Sequence, residues 1–235
     1  MPSRFIDQFD VILLDMARTF MFNVDRFSAE EDFTATYRQI GGTTLSDDMV
    51  QQIITDLVST IEPDYQDPRS VEYFSDVSSY LKVLPSSRSL PRHELDLLEQ
   101  VFALHEVGEI PAPYADALQQ LRHTHRLGVV SDIWSKKDLF LQEFERVNVG
   151  SLFDVIVFSS DHGCVKPSSR LFRKALAAFT VDRSRVVFVG DSWMRDIVGA
   201  KMEKLATIWI NATGAAAPKS RFQPDLVVQA LQVLL

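Results

Sequence analysis

A parallel α/β sheet with helices on both faces, interrupted by a helical insert, is the fold this sequence predicts, and three observations carry it. Short uninterrupted apolar runs recur at residues 11–14, 127–130, 155–158, 186–189 and 206–210. Segments of helical period, roughly 10 to 15 residues long, separate the later runs. Between residues 20 and 111 the runs give way to apolar residues spaced by three and four.

A run that is apolar at every position belongs to a strand buried on both faces, and strands that alternate with helices imply parallel pairing. Val11-Ile12-Leu13-Leu14 is the first such strand. In the insert, Ser28-Ala29-Glu30-Glu31 reads as a capping box that opens a helix, and Ser46-Asp47-Asp48 opens a second. Pro91 suits the first turn of a third helix, which runs through Leu97, Leu98 and Val101. The aromatic residues Phe33, Tyr37, Tyr73, Phe74 and Tyr80 are predicted to be mostly core of this insert, with one or two lining a pocket. Pro111 and Pro113 punctuate the return, and residues 114–125 read as the helix leading back into the sheet. The expected organisation is one α/β domain in two pieces, residues 1–19 and 112–235, interrupted by a helical domain over residues 20–111. A site at the junction is the natural expectation.

Composition excludes several classes. The 235 residues are 46% hydrophobic and 24% charged, and 24 Lys and Arg against 32 Asp and Glu give a formal charge of −8. No Lys/Arg cluster exceeds a pair, which argues against a nucleic-acid partner. The apolar runs are far shorter than the roughly 20 residues a membrane span needs, so no membrane partner is expected. Residues 1–9 lack a basic segment followed by an apolar signal core, and the single Cys164 leaves no internal disulfide to form. A reducing cytoplasm is the expected compartment, with a monomer or homodimer as the expected assembly and Cys164 buried and inert.

In an open parallel sheet, ligands bind beyond the carboxyl ends of the strands. The residues that follow the runs are Asp15, then Ser131 and Asp132, then Lys166-Pro167 on the loop past the third, then Asp191 with Asp196. Asp15 and Asp191 at neighbouring strand ends would repel unless a cation lay between them, and hard oxygen donors with room for water suit Mg²⁺. A dianionic phosphoryl group beside that ion needs hydroxyl, N–H and ammonium donors, which Ser131, the adjoining amides around Asp132, and Lys166 would supply. A carboxylate held in line with phosphorus can attack it, with Mg²⁺ and Lys166 offsetting the repulsion between the two anions.

These motifs resemble those of the haloacid dehalogenase-like (HAD) hydrolase superfamily with a helical cap of the first type. Asp15-Met16-Ala17-Arg18-Thr19 is similar to its first motif and Val129-Val130-Ser131-Asp132 to its second. Asp161-His162-Gly163-Cys164-Val165-Lys166-Pro167 is similar to the third, and the stretch from Gly190-Asp191 through Asp196 to Gly199-Ala200 to the fourth. The resemblance covers the α/β part, a Rossmann-like parallel sheet, while the insert matches only in position and helical character. It implies a hydrolase acting on a small phosphorylated metabolite through a phospho-aspartate. Asp15 would be nucleophile and metal ligand, with the backbone carbonyl of Ala17 as a second ligand. Asp191 would bind Mg²⁺ directly and Asp196 directly or through water. Ser131 and Lys166 would hold the phosphoryl group, and Thr19 would orient the nucleophile loop.

Two positions depart from the pattern. Phosphatases of the superfamily usually carry a second Asp two residues after the nucleophile, as acid for the leaving group and base for water; here the residue is Ala17. Such help is worth about 10² to 10⁴ in rate. The next position, commonly Gly, is Arg18. One reading is a hydrolase whose leaving group needs little protonation, or whose proton comes from His105, His162 or a cap residue. A second is a weakly active or inactive phosphate- or partner-binding relative. A third is a C–P bond hydrolase similar to the phosphonoacetaldehyde hydrolases, which have Ala at this place and a cap lysine; Lys82 is the sole lysine between residues 20 and 111. A dehalogenase fits less well, because those enzymes need no metal.

The neighbouring residues have plainer expected roles. Ser135 would cap the helix beginning near Trp134, leaving Ser131 free. His105, His123 and His125 would be surface or packing residues. Trp193 would either pack under its loop or face the substrate.

Overall fold

The computed structural model describes residues 4–235. Residues 1–3, the start of the 1–19 segment and of the stretch read for a targeting signal, lie outside the described residues. The sheet has six parallel strands: β1 (Val11–Leu14), β2 (Arg126–Ser131), β3 (Phe153–Phe158), β4 (Val186–Gly190), β5 (Ala206–Ile210) and β6 (Leu226–Val228), in the order β3-β2-β1-β4-β5-β6. All five predicted runs are strands. The sixth, only three residues long and bordered by Asp225 and Gln229, gives too short an apolar signal to read.

Strand periodicity sends alternate side chains to opposite faces. Ile12 and Leu14 join Leu127, Val129, Val187 and Val189 beneath the helices α5 (Ala112–Arg122) and α6 (Asp138–Arg146). Val11 and Leu13 join Val130, Val157, Val186 and Phe188 against α7 (Ser169–Leu176) and α8 (Gly199–Met202). Every residue of β1 is buried, which is why its run is continuous and not alternating.

Between β1 and α5 lie four helices, α1 (Phe33–Gln39), α2 (Asp47–Gln66), α3 (Val77–Val83) and α4 (Arg92–Glu106). They share a cluster of their own, in which Val50, Ile53, Ile54, Leu57 and Ile61 form the apolar stripe of α2 and Leu98, Val101 and Phe102 that of α4. Phe20, Met21 and Ile110 pack instead with the sheet.

Ser46 opens α2 as expected, accepting from Met49 N at 3.3 Å. The predicted cap at Ser28 is displaced: α1 starts at Phe33, and Asp32 caps it by accepting from Ala35 N at 2.8 Å. Ser28 Oγ donates to the nearby Glu30 carboxylate instead, a local contact that competes with helix initiation. Pro91 is the N-cap of α4, one position before its first turn. Of the aromatic residues read as core, Phe33, Tyr37 and Phe74 are buried, whereas Tyr73 is 87% exposed.

Backbone bonds close the insert at its two ends and tie it to the loop after β3. Phe22 and Glu109 exchange two N–H···O bonds of 2.8 Å, Val165 N donates to Val71 O at 2.9 Å, and Phe74 N donates to Gly163 O at 3.0 Å. Among the described residues, no helix is long and apolar enough to cross a membrane.

Candidate active site

The strand order reverses at β1, with β2 on one side and β4 on the other, so a crevice opens beyond their carboxyl ends. Asp15 leaves β1, Ser131 ends β2 and Asp191 follows β4. The loop after β3 carries Lys166 across the gap. Lys166 Nζ donates to Asp15 Oδ1 at 2.5 Å and to Asp196 Oδ1 at 2.6 Å, and Ser131 Oγ donates to Asp15 Oδ1 at 3.0 Å. All four side chains are buried.

Asp196 reaches this point because the chain after β4 winds as a wide π turn, Trp193–Val198, a form often found at functional positions. Ser192 Oγ caps the turn and its N–H donates to Asp196 Oδ2 at 2.8 Å. The close return requires Gly190, since a Cβ there would collide with the Asp196 carboxylate. Carboxylate oxygens of Asp15, Asp191 and Asp196 all lie within 4.8 Å of one another. One lysine cannot neutralise three acids. Burial pushes the Asp191 carboxyl up to about 6, with Asp15 adding repulsion, and burial pushes Asp196 up to about 8 despite Lys166. Burial alone would lower the Lys166 ammonium, but Asp15, Asp196 and Asp132 hold it above its ordinary value. Buried hard donors with excess negative charge could hold a divalent cation.

The remaining expected residues fall around this centre in different ways. Asp132 Oδ1 accepts from Lys166 N at 2.9 Å and Oδ2 from Tyr65 OH at 3.0 Å, so its carboxylate braces the loops. Ala17 lines the crevice. Thr19 is buried, but its Oγ1 has no hydrogen-bond partner among the described residues. The loop after Asp15 is instead closed by backbone, Met16 O accepting from Thr19, Phe20 and Met21 N while Arg18 N donates to Met21 O at 2.7 Å. Arg18 adopts a left-handed φ of 55°, a conformation that Gly reaches at far lower cost than a residue with a Cβ.

Other expectations are corrected. Ser135 caps no helix: α6 begins three residues later, and the Ser135 N–H and hydroxyl both go to Glu106. His105 sits beneath the insert, with Nε2 2.8 Å from Thr36 Oγ1, and neither it nor His162 lines the crevice, so neither supplies it a proton. Lys82 stands exposed near the end of α3 and away from the crevice, which removes the Schiff-base reading. His125 is buried, with Nε2 3.1 Å from Ile6 O, and is a packing residue. Trp193 packs edge-on against Trp209 at 5.1 Å. Cys164 is buried, and burial raises its thiol.

The crevice encloses about 770 Å³ between sheet and insert. Its far wall holds residues that the sequence did not single out. Arg195 stacks 3.3 Å over the Tyr65 ring and donates to Lys166 O and Tyr65 O, tying α2 to the loop after β3. Glu106 accepts from Trp134 N and Ser135 N, at 2.5 and 2.9 Å, and burial raises it to about 7. Glu106 had one signal: an acid in the last turn of a helix opposes the helix dipole. Arg195 lies inside the fourth motif, and Tyr65 ends α2 where its apolar stripe gives out.

The family model described as haloacid dehalogenase-like hydrolase matches residues 97–210, from α4 through β5. Over that stretch, just under half of its length, the chain is similar to the HAD-like superfamily. Pyrimidine 5′-nucleotidase YjjG of Escherichia coli strain K12 is 33% identical to it over 135 residues, 56% of this chain and 59% of that protein. A glyceraldehyde 3-phosphate phosphatase of Pyrococcus abyssi is 28% identical over 143 residues, 59% of this chain and 59% of that protein. The match thus spans about three-fifths of the length of each of these relatives. A HAD phosphatase structure from Thermococcus onnurineus shares the fold at a TM-score of 0.65, covering 96% of this chain and 95% of that one at 22% identity.

Proposed function

We propose that this HAD-like protein is a Mg²⁺-dependent phosphatase-type hydrolase that acts on a small phosphorylated metabolite through an aspartyl-phosphate at Asp15. The observation that carries the reading is the state of that carboxylate. Asp15 Oδ1 is anchored by Lys166 Nζ at 2.5 Å and Ser131 Oγ at 3.0 Å, while Oδ2 has no hydrogen bond among the described residues and is left to attack. The names of the curated relatives, a nucleotidase and a sugar-phosphate phosphatase, support a small phosphate ester as substrate.

Asp15 Oδ2 forms the bond to phosphorus as the ester oxygen departs. Lys166 and Ser131, already converging on Asp15, turn their donors to the phosphoryl oxygens, where charge accumulates in the transition state. Asp15, Asp191 and Asp196, with the Ala17 carbonyl, are the residues that would hold Mg²⁺. That ion, when bound, supplies the positive charge that lets two anions approach. Water then attacks phosphorus and releases the Asp15 carboxylate. Thr19 acts only through packing of the loop.

In this reading residues 1–19 and 112–235 form the catalytic core, and residues 20–111 form the cap that excludes water and selects the leaving group. Ala17 and the strained Arg18 favour one competing reading, a phosphate- or partner-binding protein with little turnover. Hydrolysis of para-nitrophenyl phosphate and acetyl phosphate, with and without Mg²⁺, separates the two. The enzyme reading expects Mg²⁺-dependent turnover that disappears in Asp15→Asn. No turnover of either ester, in parent and variant alike, would overturn it.

A further inference from the structure

An alkoxide leaving group needs a proton, and position 17 offers only a methyl group. Among the acids of the crevice, most are already engaged. Glu106 accepts from two backbone N–H groups and a hydroxyl, and Asp132 from Lys166 N and Tyr65 OH. Asp191 and Asp196 belong to the cation site. Asp25 differs. It lines the same crevice as Asp15 and Ala17, and its carboxylate makes no hydrogen bond or ion pair among the described residues.

Its backbone, by contrast, is held firmly. Asp25 N donates to Glu106 O at 3.1 Å and Phe27 N donates to Asp25 O at 2.9 Å. The next residue is clamped at four points, Arg26 N to His105 O and its guanidinium to the carbonyls of Asn23, Leu104 and Val107. Asn23 and Asp25 both adopt left-handed φ values, 54° and 56°. Strain of this kind, in a segment pinned from outside, is characteristic of sites that position a group. The flap that carries Asp25 starts at the nucleophile loop itself, through the bridge between Ala17 and Met21 and the pair between Phe22 and Glu109. A free side chain on a fixed backbone, lining the same cavity as Asp15, is what a proton-transfer group requires.

On the reading of this site as a phosphatase centre, we propose that Asp25 is the general acid and base of the reaction, taking the role for which residue 17 has no side chain. As the Asp15–phosphorus bond forms and the phosphorus–oxygen ester bond breaks, the Asp25 carboxyl gives its proton to the leaving oxygen, releasing an alcohol. The Asp25 carboxylate then takes a proton from the water that attacks phosphorus; Asp15 leaves as a carboxylate and inorganic phosphate is formed. Ester and water are consumed, alcohol and phosphate appear, and Asp25 ends protonated as it began. Asp25 is exposed at the mouth of the crevice, where partial desolvation raises its carboxyl, Arg18 draws it back and Asp15 adds to the rise.

The test compares acetyl phosphate, para-nitrophenyl phosphate and propyl phosphate, with Mg²⁺, in the parent, Asp25→Asn, and Asp25→Asn combined with Ala17→Asp. Asp25→Asn should lower kcat/KM on propyl phosphate about 10²-fold while leaving kcat/KM on acetyl phosphate, which reports only the phosphorylation of Asp15, within about threefold; kcat should fall on both wherever the shared water step limits turnover. A plot of log kcat/KM against leaving-group pKa should therefore steepen. The double variant should recover propyl phosphate turnover. Retained acetyl phosphate activity is the control for folding; if Asp25→Asn loses it, Asp25→Ser with the same comparison decides. An equal effect of Asp25→Asn on all three esters, no effect on any, or a parent that turns over acetyl phosphate but never propyl phosphate would overturn the assignment and leave the phosphatase reading standing. A parent inert toward all three would overturn both.

Discussion

On the floor of the crevice, Asp15, Ser131, Lys166 and Asp196 hold one another in contacts of 2.5 to 3.0 Å. The wall opposite is built the other way: Arg18, Asp25 and Glu62 line the cavity with no side-chain hydrogen bond or ion pair among the described residues. In the proposed reaction the floor would bind what every phosphate ester has in common, so its donors can be set in advance and satisfied by one another until substrate arrives. The wall meets the part that varies between esters, and its charges are left unspent. If this contrast is right, substitutions in the floor should cost both activity and stability, while wall substitutions should change one without the other.

The largest effect falls on the reacting oxygen. Asp15→Asn should lower phosphatase turnover by about 10⁴-fold or more, as expected when a nucleophile is removed from a set that acts as a unit. Kinetics on para-nitrophenyl phosphate with Mg²⁺ measure it, and residual activity within about tenfold of the parent would mean that Asp15 is not the attacking group. Lys166→Met follows. It keeps the volume but leaves Asp15 and Asp196 buried without their shared cation, at a cost of about 3 to 5 kcal/mol. Urea unfolding at pH 7.5 without metal tests this, and Mg²⁺ should return part of the loss. A variant as stable as the parent would show that the floor is not held by its charges.

The same charges predict a pH dependence with a definite sign. The folded-state values of Asp191, about 6, and Asp196, about 8, lie above the ordinary 3.8, so the protonated acids favour the folded state. Their contribution is fully present below about pH 4 and is lost as pH rises through 6 and then 8. Glu106, raised to about 7, acts in the same direction and window. Glu203 acts oppositely but elsewhere: burial would raise it, yet Arg173, Ser169 and Arg183 hold it down to about 2, so its contribution is lost only as pH falls below its ordinary 4.5. The Tm of the metal-free protein should therefore decline from pH 5 to 8, by about 2 to 4 °C per kcal/mol for a chain of this size. Mg²⁺ should flatten the decline. A profile unchanged by Mg²⁺ would separate the acid cluster from cation binding.

The floor was readable in the sequence because each of its residues follows a run whose continuity marks a strand buried on both faces. Asp15 after Leu14, Ser131 at the end of β2 and Asp191 after Gly190 are fixed by strand register alone, and one rule about parallel sheets brings them together. The wall obeys no such rule. Asp25 shares a cavity with Asp15 because the flap folds back through Phe22 and Glu109, a pairing of residues far apart in the chain that leaves no periodic trace. Helix starts failed for a related reason. Ser28 and Asp32 are both good N-caps by type, and which of them opens α1 depends on whether Phe33 and Tyr37 can reach the core shared with α2 and α4. Ser135, likewise a good cap by type, was taken by Glu106, from the other side of the junction.

The smallest expected effect discriminates best between floor and wall, because its sign is at stake. Arg18 holds a left-handed φ of 55° with its side chain exposed at the crevice, within electrostatic reach of Asp25 and Asp191. A left-handed non-glycine residue is strained by about 1 to 2 kcal/mol. Replacement by Gly removes the strain but adds roughly 0.5 to 1 kcal/mol of conformational freedom to the unfolded chain. Screened attraction across open water adds less than either. Arg18→Gly should therefore stabilise the protein by up to about 1 kcal/mol in urea unfolding, the reverse of what any floor substitution does. A loss of stability instead would mean that the guanidinium is bound to the wall acids more tightly than the open cavity suggests, and that the wall, like the floor, is organised before substrate arrives.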